Sequence, residues 1–121
     1  MESPMRVDLI SADKVEGTNV YSPAQEKLGH IENLMIDKYT GKVAYAIMSF
    51  GGFLGIGERL HPLPWSVLKY DRSQGGYVVN LDKDTLEHAP QFEPAAPPNY
   101  ADTGWGTKVH SYYKVPPYWT I

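Results

Sequence analysis

The chain has 121 residues, with 11 basic and 14 acidic side chains for a formal charge of −3, and no cysteine. That length fits one domain, and the lack of cysteine removes disulfides, thiolate nucleophiles and thiolate zinc sites together. Nor is there a block of like charge to serve as a footprint for phosphates or anionic lipid.

No apolar run approaches the ~20 residues of a membrane-crossing helix, and the start MESPMRVDLI lacks a signal-peptide core. The expectation is a soluble, cytoplasmic globule. Aromatic residues make up 12% of the chain, and nine of the fifteen are tyrosine, which suits a β-rich protein.

In chain order, Ser11–Val15 reads as a helical turn and Thr18–Tyr21 as a first strand. The second strand, Lys27–Asp37, has apolar residues at Leu28, Ile31, Leu34 and Ile36. Its alternation slips phase between Ile31 and Leu34, which predicts a bulge near Glu32–Asn33 that bends the ribbon as a small barrel requires. Asp37-Lys38-Tyr39-Thr40-Gly41-Lys42 is turn chemistry: Asp bonds amides two residues on, and glycine accepts positive φ. The next strand, Val43–Phe50, places Val43, Tyr45, Ile47 and Ser49 on one face and Ala44, Ala46, Met48 and Phe50 on the other. Both faces are largely apolar, so one fills the core and the other needs cover from the C-terminal region or a partner.

Gly51-Gly52-Phe53-Leu54-Gly55-Ile56-Gly57 leads into Glu58–Leu63. Pro62 and Pro64 have no N–H to donate, so this segment belongs at a sheet edge or turns out of the sheet. Val67–Tyr70 and Tyr77–Leu81 form a last hairpin around Ser73-Gln74-Gly75-Gly76. Asp82 or Asp84 then caps a short helix running through Leu86 and His88, ended before Pro90. Six short strands with glycine-rich turns predict a mainly β, six-stranded barrel.

Composition changes near Pro90. Six of the ten prolines lie at or beyond it, with the aromatics Phe92, Tyr100, Trp105, Tyr112, Tyr113, Tyr118 and Trp119. A disordered tail is usually charged and poor in aromatics, because it cannot offset chain entropy by burial. Residues 91–121 are the opposite, and are expected to form an extended aromatic tail packed on the barrel or on a second subunit.

The chemistry-bearing clusters all have simpler structural readings. The glycine-rich loop connects strands rather than leading into a helix, as phosphate loops do. Tyr39 breaks the spacing of an aspartyl-phosphate motif at Asp37. His30, His61, His88 and His110 are far apart, and only His30 with Glu32 pairs two ligand types on one strand. Ser49, Ser66 and Ser73 lack a nucleophile elbow. Asp82, Asp84 and Glu87 suit capping and the helix dipole. Lys38, Tyr39 and Lys42 make a weak basic–aromatic patch, and the net charge argues against nucleic acid. The expectation is no enzyme, no metal and no cofactor.

Leu28-Gly29-His30-Ile31, Leu34-Met35-Ile36-Asp37, Thr40-Gly41-Lys42-Val43 with Tyr45, the loop from Gly51 to Gly57, Pro62-Leu63-Pro64-Trp65, and Leu86 with Ala89-Pro90 occur in that order. Together they resemble a PRC-barrel domain, over roughly residues 9–90, and the tail is similar to that of short stand-alone bacterial members. The resemblance implies a PRC-barrel domain over residues 7–90, used for binding rather than catalysis. Members include the cytoplasmic part of the photosynthetic reaction-centre H subunit and the C-terminal domain of a ribosome maturation factor. The expected function is a protein–protein interaction module, homodimeric or docking another protein, with tail exchange between copies as one arrangement. Ribosome or RNA association and a peripheral role in photosynthetic electron transfer are the alternatives. The expected contact residues are Phe53, Leu54, Trp105, Tyr112, Tyr113, Tyr118 and Trp119, the residue types enriched at interfaces. Trp65 is expected to support the core.

Overall fold

The computed structural model describes residues 8–50 and 57–120. Among these, six strands form one sheet: β1 (Asn19–Tyr21), β2 (Lys27–Ile36), β3 (Val43–Phe50), β4 (Arg59–Pro64), β5 (Lys69–Asp71) and β6 (Gly76–Val78). Their order is β4-β3-β2-β1-β6-β5. All neighbours are antiparallel except β1 and β6, which run parallel with Val20 opposite Tyr77. Three helices accompany them: α1 (Ala12–Val15), α2 (Lys83–Glu87) and α3 (Thr103–Tyr113).

Local chemistry accounts for the boundaries. Ile31 lies opposite Met48 but Asn33 opposite Ile47, so the extra residue falls where the apolar alternation slips. A second irregularity follows between Met35 and Ile36. In the β2–β3 turn the Asp37 carboxylate accepts the Tyr39 N–H at 2.9 Å, while the Asp37 carbonyl accepts the Gly41 N–H at 2.8 Å. Of the two candidate caps of α2, Asp82 is the one used. Its carboxylate accepts the Thr85 N–H at 2.8 Å, and that bond holds its pKa below the ordinary carboxylate value.

Two expectations need correction. The ladder does not close: no pairing joins β4 to β5. Laid flat, six strands would separate these two by ~24 Å. The chain from Pro64 to Lys69, through a 3-10 turn at Trp65–Val67, spans at most ~18 Å, so the sheet must curl. It stays open because the outer edge of β4 has little to pair with. Leu60 exchanges both backbone hydrogen bonds with Phe92 across that edge, at 2.9 Å each. Pro62 and Pro64, which by strand periodicity present the same edge, have no N–H.

The second correction concerns the C-terminal region, which is not extended. Its centre is α3, started by Asp102, whose carboxylate accepts the N–H groups of Gly104 at 2.8 Å and Trp105 at 3.4 Å. The helix ends at Lys114, whose left-handed backbone closes the last turn. Gly106, Val109, His110 and Tyr113, spaced as one helical face, turn toward the sheet.

The two faces of β3 support different cores. Ala46 and Met48 join Val20, Ile31, Leu63 and Leu86 in an inner, mostly aliphatic cluster. Tyr45 and Ile47 face outward, with Ala44, which the nearby irregularity carries to the same side. This outer face is covered by α3 and its flanks.

Candidate interaction surface

Tyr45, 3% exposed, is the hub of the outer cluster. Around it, by ring centroid, lie His110 at 5.4 Å, Trp105 at 5.5 Å, Tyr118 at 5.6 Å and Tyr100 at 6.5 Å. Most pairs are tilted or edge-on, the arrangements that ring quadrupoles favour. Burial, reinforced by the neighbouring Tyr118 and Tyr100, pushes the Tyr45 pKa well above the ordinary phenol value.

His110 fastens the C-terminal segment to α3. Its Nδ1 lies 2.7 Å from the Gly106 carbonyl, and its Nε2 accepts the Tyr118 N–H at 3.2 Å. Those two bonds require the proton on Nδ1. One turn earlier, Gly106 leaves room for Trp119. A Cβ there would sit 2.9 Å from two carbons of the Trp119 ring and 3.2 Å from the Tyr45 hydroxyl.

Between this segment and the β2–β3 hairpin lies a cleft of about 290 Å³. Trp65, Tyr118 and Trp119 supply aromatic walls, Pro64 and Pro116 apolar ones, and Asp37, Thr40, Lys42 and Ser66 polar groups. Trp119 is 42% exposed, and Ile36 and Tyr39 of the hairpin are exposed to 51% and 98%. Ser66 and His110 share this cleft, but both imidazole nitrogens are engaged, so no free base is available to the hydroxyl. His30 and Glu32 pair at 3.1 Å on the exposed face of β2. Among the described residues no three His, Cys, Asp or Glu side chains converge as a metal site would require.

The structure divides the expected contact residues. Trp105, Tyr118 and Trp119 gather around Tyr45 and His110. Tyr112 and Tyr113 also pack against the inner cluster, and the Tyr112 hydroxyl donates to the Thr85 carbonyl at 2.6 Å, tying α3 to α2. Among the described residues the buried Tyr113 hydroxyl has no partner, and burial raises its pKa. Phe53 and Leu54, with the rest of residues 51–56, lie outside the described residues. Trp65 packs partly against the inner cluster, edge-on to Tyr77, and also walls the cleft. Tyr45, Gly106 and His110 were not among the expected site residues. The spacing of Gly106, Val109, His110 and Tyr113 carried the signal for their side of the site.

Fold and surface define a small β-sheet module whose outer face is roofed by an aromatic helix and strap. The chain belongs to the PRC-barrel domain family, whose model matches residues 7–86. A solved structure from Pseudomonas aeruginosa, assigned as the 16S ribosomal RNA processing protein RimM, aligns at 24% identity with a TM-score of 0.39. The alignment covers 62% of this chain and 45% of that one, so the chain spans less than half the length of that protein. Comparison with curated protein sequences gives no match. Among the described residues no helix is long and apolar enough to cross a membrane.

Proposed function

We propose that the chain is a non-catalytic protein-interaction module that docks a second copy of itself or another protein. The observation that carries this reading is the cleft, lined by exposed Trp119 and apolar walls, with exposed Tyr39 and Ile36 on the hairpin that borders it. Aromatic residues of this kind supply most of the energy of protein interfaces when a partner buries them. The engaged nitrogens of His110 support the non-catalytic part of the reading.

The test is affinity recovery from the native cells, comparing the chain with a Tyr39→Ala/Trp119→Ala variant. A protein partner, or a second copy detected as a dimer by light scattering, should be recovered at least about tenfold less well with the variant, a change of ~1.4 kcal/mol. Equal recovery by both forms would sink the proposal. Co-sedimentation with ribosomes that weakens as salt rises would favour the ribosome-associated alternative instead.

A further inference from the structure

We infer that the cleft beside Trp119 takes a proline-rich, extended segment of a partner protein, seated between aromatic walls and capped by donors that the fold leaves unused. This rests on the interaction-module reading and gives the partner a chemistry.

Three features select this occupant. First, a cavity of about 290 Å³ is at the lower limit for a whole small-molecule ligand, for which ~300–1,000 Å³ is usual, but suits one or two side chains of a longer one. Second, the neighbouring sheet edge cannot accept an added strand. Pro62 and Pro64 offer no N–H there, and Leu60 is already bonded to Phe92. A partner segment must therefore bind without a backbone ladder, which excludes strand addition. A polyproline II segment has no internal hydrogen bonds, keeps its carbonyls free to accept, and loses little entropy on binding.

Third, the walls match it. Trp65, Tyr118 and Trp119 line the cleft with aromatic rings against which pyrrolidine rings can pack. Among the described residues, the two indole N–H groups and the Tyr118 hydroxyl make no hydrogen bond, so they are available to partner carbonyls. Asp37 makes no ion pair among the described residues and has one carboxylate oxygen beyond that bonded to Tyr39. It gives an arginine flanking the prolines a carboxylate to pair with, while Lys42, whose carbonyl accepts the Asp37 N–H at 2.8 Å on the same hairpin, disfavours a second one.

The experiment titrates the whole chain with a capped oligoproline peptide bearing one terminal arginine. The control is a glycine–serine peptide of the same length and charge. The readout is the NMR signal of the Trp119 indole N–H. The expected result is a saturable shift with the proline peptide alone, weakened about 30-fold by Tyr118→Ala, as for loss of an interface anchor. Asp37→Asn should weaken the arginine-bearing peptide several-fold and leave an uncharged oligoproline unchanged. Strand amide signals in each variant report whether the fold is retained. For a variant that fails to fold, added oligoproline competing with the partner in affinity recovery replaces the titration.

No saturable shift, or equal binding of the glycine–serine peptide, overturns the inference. If Tyr39→Ala/Trp119→Ala still loses its cellular partner in that case, the interaction-module reading stands and only the polyproline chemistry falls. A dimer lost in that variant, without peptide binding, would make a second copy the occupant and overturn the inference.

Discussion

The inner and outer faces of β3 each bury a histidine, and the two are treated in opposite ways. His110, in the aromatic outer cluster, has both ring nitrogens satisfied by backbone groups of the elements it joins. His61, on β4 and fully buried, has neither nitrogen bonded among the described residues, and its ring lies edge-on to Phe50 at 5.3 Å. Desolvation lowers its pKa to about 4. The outer cluster is therefore a polar-fastened seam, in which the His110 ring is held by hydrogen bonds and the rings around it by packing. The inner one is an apolar core that tolerates one uncompensated imidazole. A buried polar group without partners costs roughly 1–3 kcal/mol, so His61 is a liability where His110 is a clasp.

The largest expected effect breaks the inner core. Ile31→Ala removes a fully buried side chain at the bulge of β2 and should cost about 2–5 kcal/mol, read as a lower urea midpoint. If Tyr45→Ala proved far more damaging than Ile31→Ala, the outer cluster would be the dominant core.

The next effect is a pH dependence belonging to one histidine. Because the folded pKa of His61 lies below its ordinary value, the unfolded chain binds more protons between about pH 6.5 and 4. The stability contribution is present above pH 6.5 and is lost as pH falls through that window. From pH 7 to pH 5 the loss should be about 2 kcal/mol. His61→Leu should remove that loss and raise stability at pH 5. An unchanged pH profile in the variant would show that His61 is not the sensor.

The smallest effect separates two adjacent tyrosines. Tyr112→Phe gives up the bond to the Thr85 carbonyl and should cost about 1 kcal/mol. Tyr113→Phe removes an unpartnered hydroxyl and should be neutral or slightly stabilising. Equal thermal shifts for the pair would contradict this account of Tyr112 as hydrogen-bonded and Tyr113 as only packed.

The inner core was far more legible in the sequence than the outer seam. Strand periodicity located β2, β3 and β4, and the phase slip after Ile31 marked the bulge, because alternation is a local property of the chain. The prolines at 62 and 64 placed β4 at an edge for the same reason, although they did not reveal that the ladder stays open. The proline-rich composition of residues 91–121 reads as an extended chain, and Gly104 and Gly106 lower helix propensity within α3. Asp102 and the Gly106–Tyr113 stripe outweigh those signals through capping and burial. The orphaned His61 had no sequence signature, since whether a histidine finds a partner depends on what the whole fold brings to it.

The parallel seam between β1 and β6 has a consequence for the order of folding. β2, β3 and β4 follow one another as a meander and can assemble from neighbours, whereas Val20 must wait for Tyr77 to return from far along the chain. Contacts of such separation bear a loop-closure cost before they contribute, so this seam should govern the rate at which the sheet curls. Gly76 stands there because a Cβ would lie 2.5 Å from the Asn19 carbonyl. Stopped-flow refolding of Gly76→Ala should show slower curling if the seam forms in the transition state. An effect confined to unfolding would place the seam after it.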